Sequence, residues 1–334
     1  MKRVRKGFLI LLFLVIPSLV YSKPIVIKLA TMTPQGSAWD ISLKAMAAEW
    51  KEITNGEVEL KIYPGGIMGS EDDVIRKMKI GQVDAAVLTS MGLIQIVPDT
   101  FVLSLPFFIQ NEAELDFAME ELTPLFDDAF SSKGFLMLTW SKSGWVYIFS
   151  KEKVVYPEDL KPLKLGVNSA EDQMISAFKS LGFNISPTGI SSLMLALQSG
   201  MVEAFYAPPM GAAAYQWFAL APNMMDFSVG PVIGGLIITK QAWAKIPKKY
   251  HAEIMKSVEK VQKDFASETE KMNQQALDIM LDYGLIVNAV PDSIKNIWRN
   301  YFWLDEYSSI VGDGKTVSKE IYWKVKSELE DFRR

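Results

Sequence analysis

Residues 58–89, VELKIYPGGIMGSEDDVIRKMKIGQVDAAVLT, decide the fold class. Val58 to Tyr63 alternates apolar and polar side chains, the period of a half-buried strand, and Pro64-Gly65-Gly66 ends it. Glu71 to Ile80 carries apolar residues at helical spacing and stops at Gly81. Val83 to Thr89 (VDAAVLT) reads as a second strand. Working upstream, Pro24 to Thr31 (PIVIKLAT) is another strand, and Thr33-Pro34-Gln35-Gly36-Ser37 is a turn-rich loop. Ala38 to Ile53 is an amphipathic helix, with Ile41, Ala45 and Ala48 on one face and Asn55-Gly56 closing it. The order β-α-β-α-β implies parallel strands joined by right-handed crossovers, hence an α/β fold.

The pattern recurs downstream. Leu163 to Val167, Phe183 to Ser186 and Val202 to Tyr206 read as strands. Glu171 to Leu181 (closed by Gly182) and Ile190 to Gln198 (closed by Gly200) read as helices. Two such units in one chain predict two lobes with a cleft between them. Ligands of open parallel sheets sit beyond the carboxyl ends of the strands, so those loops are where a site belongs. After Pro247, residues 248–283 form one long helical stretch whose apolar positions Tyr250, Ile254, Val258, Val261 and Phe265 step by three and four. It is long enough, at about 50 Å, to brace both lobes. The aromatic tail (Trp298, Tyr301, Phe302, Trp303, Tyr322, Trp323) has core spacing.

Residues 1–22 read as a cleavable signal peptide: Lys2, Arg3, Arg5 and Lys6, an apolar run from Phe8 to Ile16, then Val20-Tyr21-Ser22. The run is too short to span a bilayer. The mature protein is therefore expected to be exported and soluble, with a retained anchor as the alternative. Removing those four basic residues from 35 leaves 31 against 39 acidic ones, a net of −8. That balance excludes a nucleic-acid or anionic-lipid footprint. With no cysteine, disulfides, thiolate metal sites and cysteine nucleophiles are excluded. The one histidine, His251, sits among Lys248, Lys249 and Glu253 and reads as surface. No catalytic residue, metal ligand or cofactor is assigned. Pro64-Gly65-Gly66-Ile67-Met68-Gly69 lacks the Lys-Ser/Thr ending of a phosphate loop and reads as a turn. Asp72-Asp73 and Asp127-Asp128 are neighbours that do not face one another on a helix.

Several segments, in order, resemble the DctP-type extracytoplasmic solute receptors of TRAP transporters. They are Ile27 to Ala30 with Pro34-Gln35-Gly36-Ser37, Tyr63-Pro64-Gly65-Gly66 through Gly69, and Gly81-Gln82-Val83-Asp84-Ala85-Ala86. Phe101 to Phe107, Pro157 to Lys164 and Leu195 to Glu203 continue the series. The resemblance implies a two-lobed periplasmic solute-binding fold, each lobe a mixed, mostly parallel sheet flanked by helices, with the ligand cleft between. It also implies a periplasmic location and delivery of a small-molecule ligand to an ion-gradient-driven membrane permease. The expected division is residues 23–149 with about 235–265 in lobe I, and 150–234 with about 285–334 in lobe II. Residues 248–283 cross both.

The chain departs from the family where ligand carboxylates are usually held. The position of one common arginine is Gly166, that of a second is Val146, and that of a common asparagine is Ala207; neighbouring pocket positions align with Met32, Thr89, Ser90 and Ile190. Burying a carboxylate without such partners is costly, whereas apolar walls favour apolar ligands. The expected ligand is accordingly apolar or amphipathic. Met32, Trp145, Ile190, Phe205, Tyr206 and Met210 are the candidate walls, and Thr89 and Ser90 the candidate polar contacts. The same loss is similar to a sub-branch that works with a tetratricopeptide-repeat protein, which implies such a partner here. The alternatives are a receptor for a polar acid using Lys142, Lys164 or Glu171, a carboxylate enzyme, and a scaffold that has lost transport.

Overall fold

A computed structural model describes residues 23–305 and 307–334. The segment read as a signal peptide lies outside them. Nine strands are present among the described residues: β1 (Ile25–Thr31), β2 (Val58–Tyr63), β3 (Ala85–Thr89), β4 (Phe135–Ser150), β5 (Leu165–Val167), β6 (Ile185–Pro187), β7 (Ala204–Ala207), β8 (Asn223–Thr239) and β9 (Ile286–Ala289). They form one mixed sheet in the order β2-β1-β3-β8-β4-β7-β5-β6, with β9 paired to β8.

The two predicted α/β units are its ends. Strand β1 lies parallel between β2 and β3, and β5 lies parallel between β6 and β7. What the sequence reading left unassigned is the centre. Strands β4 and β8 run antiparallel to each other along almost their whole length and to their outer neighbours, β7 and β3. Both strands run between the two α/β units, and the division expected near Phe149 and Gly235 falls within them.

Local chemistry explains the boundaries. Ser37 caps the helix Ala38–Ile53 by accepting from the Asp40 N–H. Ser70 and Asp73 form a reciprocal capping box at the start of the helix Glu71–Lys79. Gly200, in the left-handed region, ends the helix Leu193–Ser199. The helix Lys248–Asp282 runs 35 residues as one element. It packs on the helix Ala38–Ile53 through Trp39 and Phe265, whose ring centroids are 3.8 Å apart, and through Ser257, which donates to Glu49 at 2.7 Å. It also meets the second lobe, where Asn273 accepts from the Met210 N–H at 3.1 Å. His251 is half-buried, bonded to the Ile246 carbonyl at 2.9 Å and packed on Trp243, rather than solvated.

The predicted aromatic core is formed: Phe107 stacks between Phe227 and Trp298, and Phe302 meets Phe178. Trp323 is the exception, at 45% exposure. The helix Lys319–Phe332, grouped with lobe II on sequence, packs on the helix Glu112–Ser132 of the first half. Arg333 ties the two together through Glu114.

Candidate functional site

The carboxyl ends of the outer strands converge on the middle of β4 and β8. Thr89, at the end of β3, is the register partner of Gly234, which also pairs with Ser141; Ala207, at the end of β7, pairs with Tyr147. Between Lys142 and Trp145 the β4–β8 register slips, leaving Ser143 and Gly144 as a bulge. Above this segment lies a cavity of about 510 Å³ between β4 and the long helix, within the span of about 300–1,000 Å³ that small-molecule sites occupy. Its walls include Trp145, Tyr147, Met224 and Leu277, with Asn273 and Gln274 from the helix.

Of the residues singled out on sequence, Trp145 lines this cavity. Ala207 is buried at its edge beside Tyr147, and Met210 is fixed there by its bond to Asn273. Val146 pairs with Gly230 and leans on the main core. Gly166 lies one row deeper, paired with Phe205, and a Cβ placed on it would stand 2.9 Å from Val202 Cγ1 and 3.3 Å from Leu193 Cδ1. The space an arginine side chain would leave by is thus filled by apolar groups. Phe205 is core, 1% exposed and stacked on Phe149. Tyr206, one residue on, points to the opposite face and stacks on Phe178.

At the first lobe's strand ends, Met32 is 44% exposed and packs over the turn at Gly66. That turn is tied to β1 by Gly66 N–H to the Thr31 carbonyl at 3.0 Å. Ile67 in the same turn and Ile190 after β6 are 69% and 52% exposed. Thr89 is exposed but committed: its N–H and hydroxyl both donate to Glu71, at 2.6 and 2.7 Å. Ser90 opens the short helix Ser90–Leu93. Burial raises the Glu71 carboxyl above its usual value, against the pull of the Thr89 bonds.

The sequence reading offered Glu171 only as an alternative anchor, yet it is a structured part of the second lobe. Its carboxylate accepts from the Tyr206 hydroxyl and, at 3.4 Å, from Asn168 Nδ2. Burial raises it, and burial with the adjacent carboxylate drives the Tyr206 phenol well above its usual value. Lys164 lies away from the cavity and donates to the Gly200 carbonyl at 2.8 Å. Lys142 reaches the cavity but is held by Glu112 and Asp116.

One signal that composition could have supplied is the scarcity of arginine. Beyond residue 22 only Arg76, Arg299, Arg333 and Arg334 remain. Arg76 pairs with Asp73, Arg333 with Glu114 and Arg334 with Asp331, and Arg299 lies on the helix Asp292–Trp303. None lines the cavity. Among the described residues no cluster of carboxylates and histidine is arranged to hold a metal ion, and no helix is long and apolar enough to cross a membrane.

Residues 29–303 match the family model for DctP, the bacterial extracellular solute-binding proteins of family 7. A curated solute-binding protein of Chromohalobacter salexigens is 26% identical over 78% of this chain and 76% of its own length. Among solved structures, a TRAP periplasmic solute-binding protein from the same organism, with bound D-glucuronate, superimposes with a TM-score of 0.76. The match covers 90% of this chain and 99% of that one at 21% identity. An apo, open TRAP solute-binding protein of Rhodobacter sphaeroides gives 0.80 at 19% identity, covering 92% of this chain and 99% of that one.

Proposed function

We propose, from the premise that this chain belongs to the DctP family of bacterial extracellular solute-binding proteins, that it captures an apolar or amphipathic ligand between its lobes and delivers it to a TRAP permease. Binding without turnover follows from the family's role as receptors. The observation that carries the ligand class is the absence of a free cation among the described residues of the cavity. Gly166, Val146 and Ala207 stand where the resemblance expects arginine and asparagine, and the one lysine is neutralised by Glu112 and Asp116. An organic acid would forfeit charge-assisted bonds worth roughly 1.5–3 kcal/mol each. Met32, Ile67 and Ile190, exposed at strand ends of both lobes, supply apolar surface instead. Burial there contributes about 0.8 kcal/mol per ligand CH₂. Thr89 and Ser90 are the polar contacts of this reading, and the tetratricopeptide-repeat partner and periplasmic location belong to the same proposal.

D-glucuronate in the Chromohalobacter structure is the strongest counter-model. Native mass spectrometry of the purified protein, with organic extraction of whatever it carries, separates the two. A co-purifying lipid-like molecule supports the proposal. Tight binding of glucuronate or another small acid overturns it.

A further inference from the structure

Carboxylates outnumber cations among the described residues that line the cavity, three to one. Asp226 and Glu270 line it and make no ion pair among the described residues, while Glu112 is engaged by Lys142. Its amide and ammonium donors are engaged by the protein itself. Asn273 Nδ2 donates to the Thr269 carbonyl at 3.0 Å, Gln274 Nε2 to Asp278 at 2.8 Å, and Lys142 Nζ to Glu112 and Asp116. Beside these acceptors stand two large aromatic faces, Trp145 and Tyr147, and the apolar side chains of Met224 and Leu277. Aromatic faces and carboxylates together attract an organic cation and repel an anion, and apolar neighbours receive its hydrocarbon portion.

We infer that the ligand is a cationic amphiphile, its ammonium head seated between Trp145, Tyr147, Asp226 and Glu270 and its chain directed over Met224 and Leu277. The inference rests on the receptor reading above and narrows it. It also gives a role to Lys142, whose engagement by two carboxylates removes the one positive charge among the described cavity residues from competition with the head group.

The test is calorimetric titration of the purified protein with decyltrimethylammonium, decanoate, decanol and D-glucuronate, below micellar concentrations. The ammonium compound is expected to bind about tenfold more tightly than decanoate or decanol, the size of a partly desolvated cation–π and ion contact. The D226N/E270Q double substitution is expected to abolish that advantage while decanol binding stays within twofold. Equal binding of decanol or decanoate overturns the cationic head and leaves the apolar reading standing. Binding of glucuronate with none of the decyl compounds overturns both. No binding of the ammonium compound overturns the inference, whatever extraction recovers.

Discussion

The Tyr206 hydroxyl donates to the Glu171 carboxylate, joining the end of β7 to the residue that precedes the helix Asp172–Ser180. Burial raises the Glu171 carboxyl above 4.5. A carboxyl raised in the folded state binds more protons folded than unfolded. Its contribution is therefore fully present below the unfolded value and is lost as pH rises through the folded one. Denaturation midpoints should accordingly rise as pH falls from 7 toward about 5. In E171Q that rise should be smaller; an identical rise in both proteins refutes the assignment.

Removing the donor is a separate experiment. Y206F leaves the half-buried Glu171 carboxylate short of one partner, which should cost about 1–3 kcal/mol of stability at pH 7. At pH 5, where more of the carboxyl is protonated, the cost should shrink. Urea unfolding at the two pH values reads the difference.

Restoring an arginine at 166 should not restore an acid site. Its Cβ would meet Val202 Cγ1 at 2.9 Å, an overpacking that costs about 1–3 kcal/mol. G166R is expected to melt lower than the parent and to remain unable to bind glucuronate. Glucuronate affinity gained by this single change would show that Val202 and Leu193 yield easily.

At the lobe junction, a Cβ on Gly234 would stand 2.5 Å from the Leu88 carbonyl oxygen, a backbone atom with no rotamer to escape by. G234A should therefore weaken the β3–β8 pairing and destabilise the protein by about 1–3 kcal/mol. Hydrogen exchange at residues 85–89 should speed up more than at β2, and uniform exchange would argue against a local cause.

The C-terminal helix hangs on a paired charge. Arg333 gives Nε to Glu114 Oε1 at 2.9 Å and Nη2 to Oε2 at 2.6 Å, and also bonds the Phe108 carbonyl. R333A leaves Glu114 buried and unpaired, so a loss of about 3–5 kcal/mol is expected. The double variant R333M/E114L should recover most of it. Thermal melts of the two decide.

How far the sequence reached can be traced residue by residue. The outer strands and the long helix are legible because their periods are unbroken and glycines punctuate them. The helix read over 248–283 ends at Asp282 in the structure. Strands β4 and β8 escaped notice because register slips at Met137/Thr139, Lys142/Trp145 and Val146/Tyr147 scramble the two-residue alternation that marks a strand. Phe205 and Tyr206 were both read as walls, yet neighbours on a strand point to opposite faces. Only the register shows that Phe205 meets Phe149. The resemblance named the missing arginines but not Val202 and Leu193 beside Gly166, since those come from a separate turn and helix.

The sharing of β4 and β8 sets the order in which this chain can be completed. Ala86 waits for Ile237, and Leu29 pairs with Ala85 inside a sheet that stays open at that edge until β8 arrives. The first α/β unit, although contiguous and early in the chain, exposes an unpaired strand until residue 239 has emerged. A polypeptide of this topology gains little by folding from its N-terminus as it is made. Its high proportion of distant pairings slows the search for the native fold. If the chain crosses a membrane before it folds, as the signal-peptide reading expects, late closure is an asset.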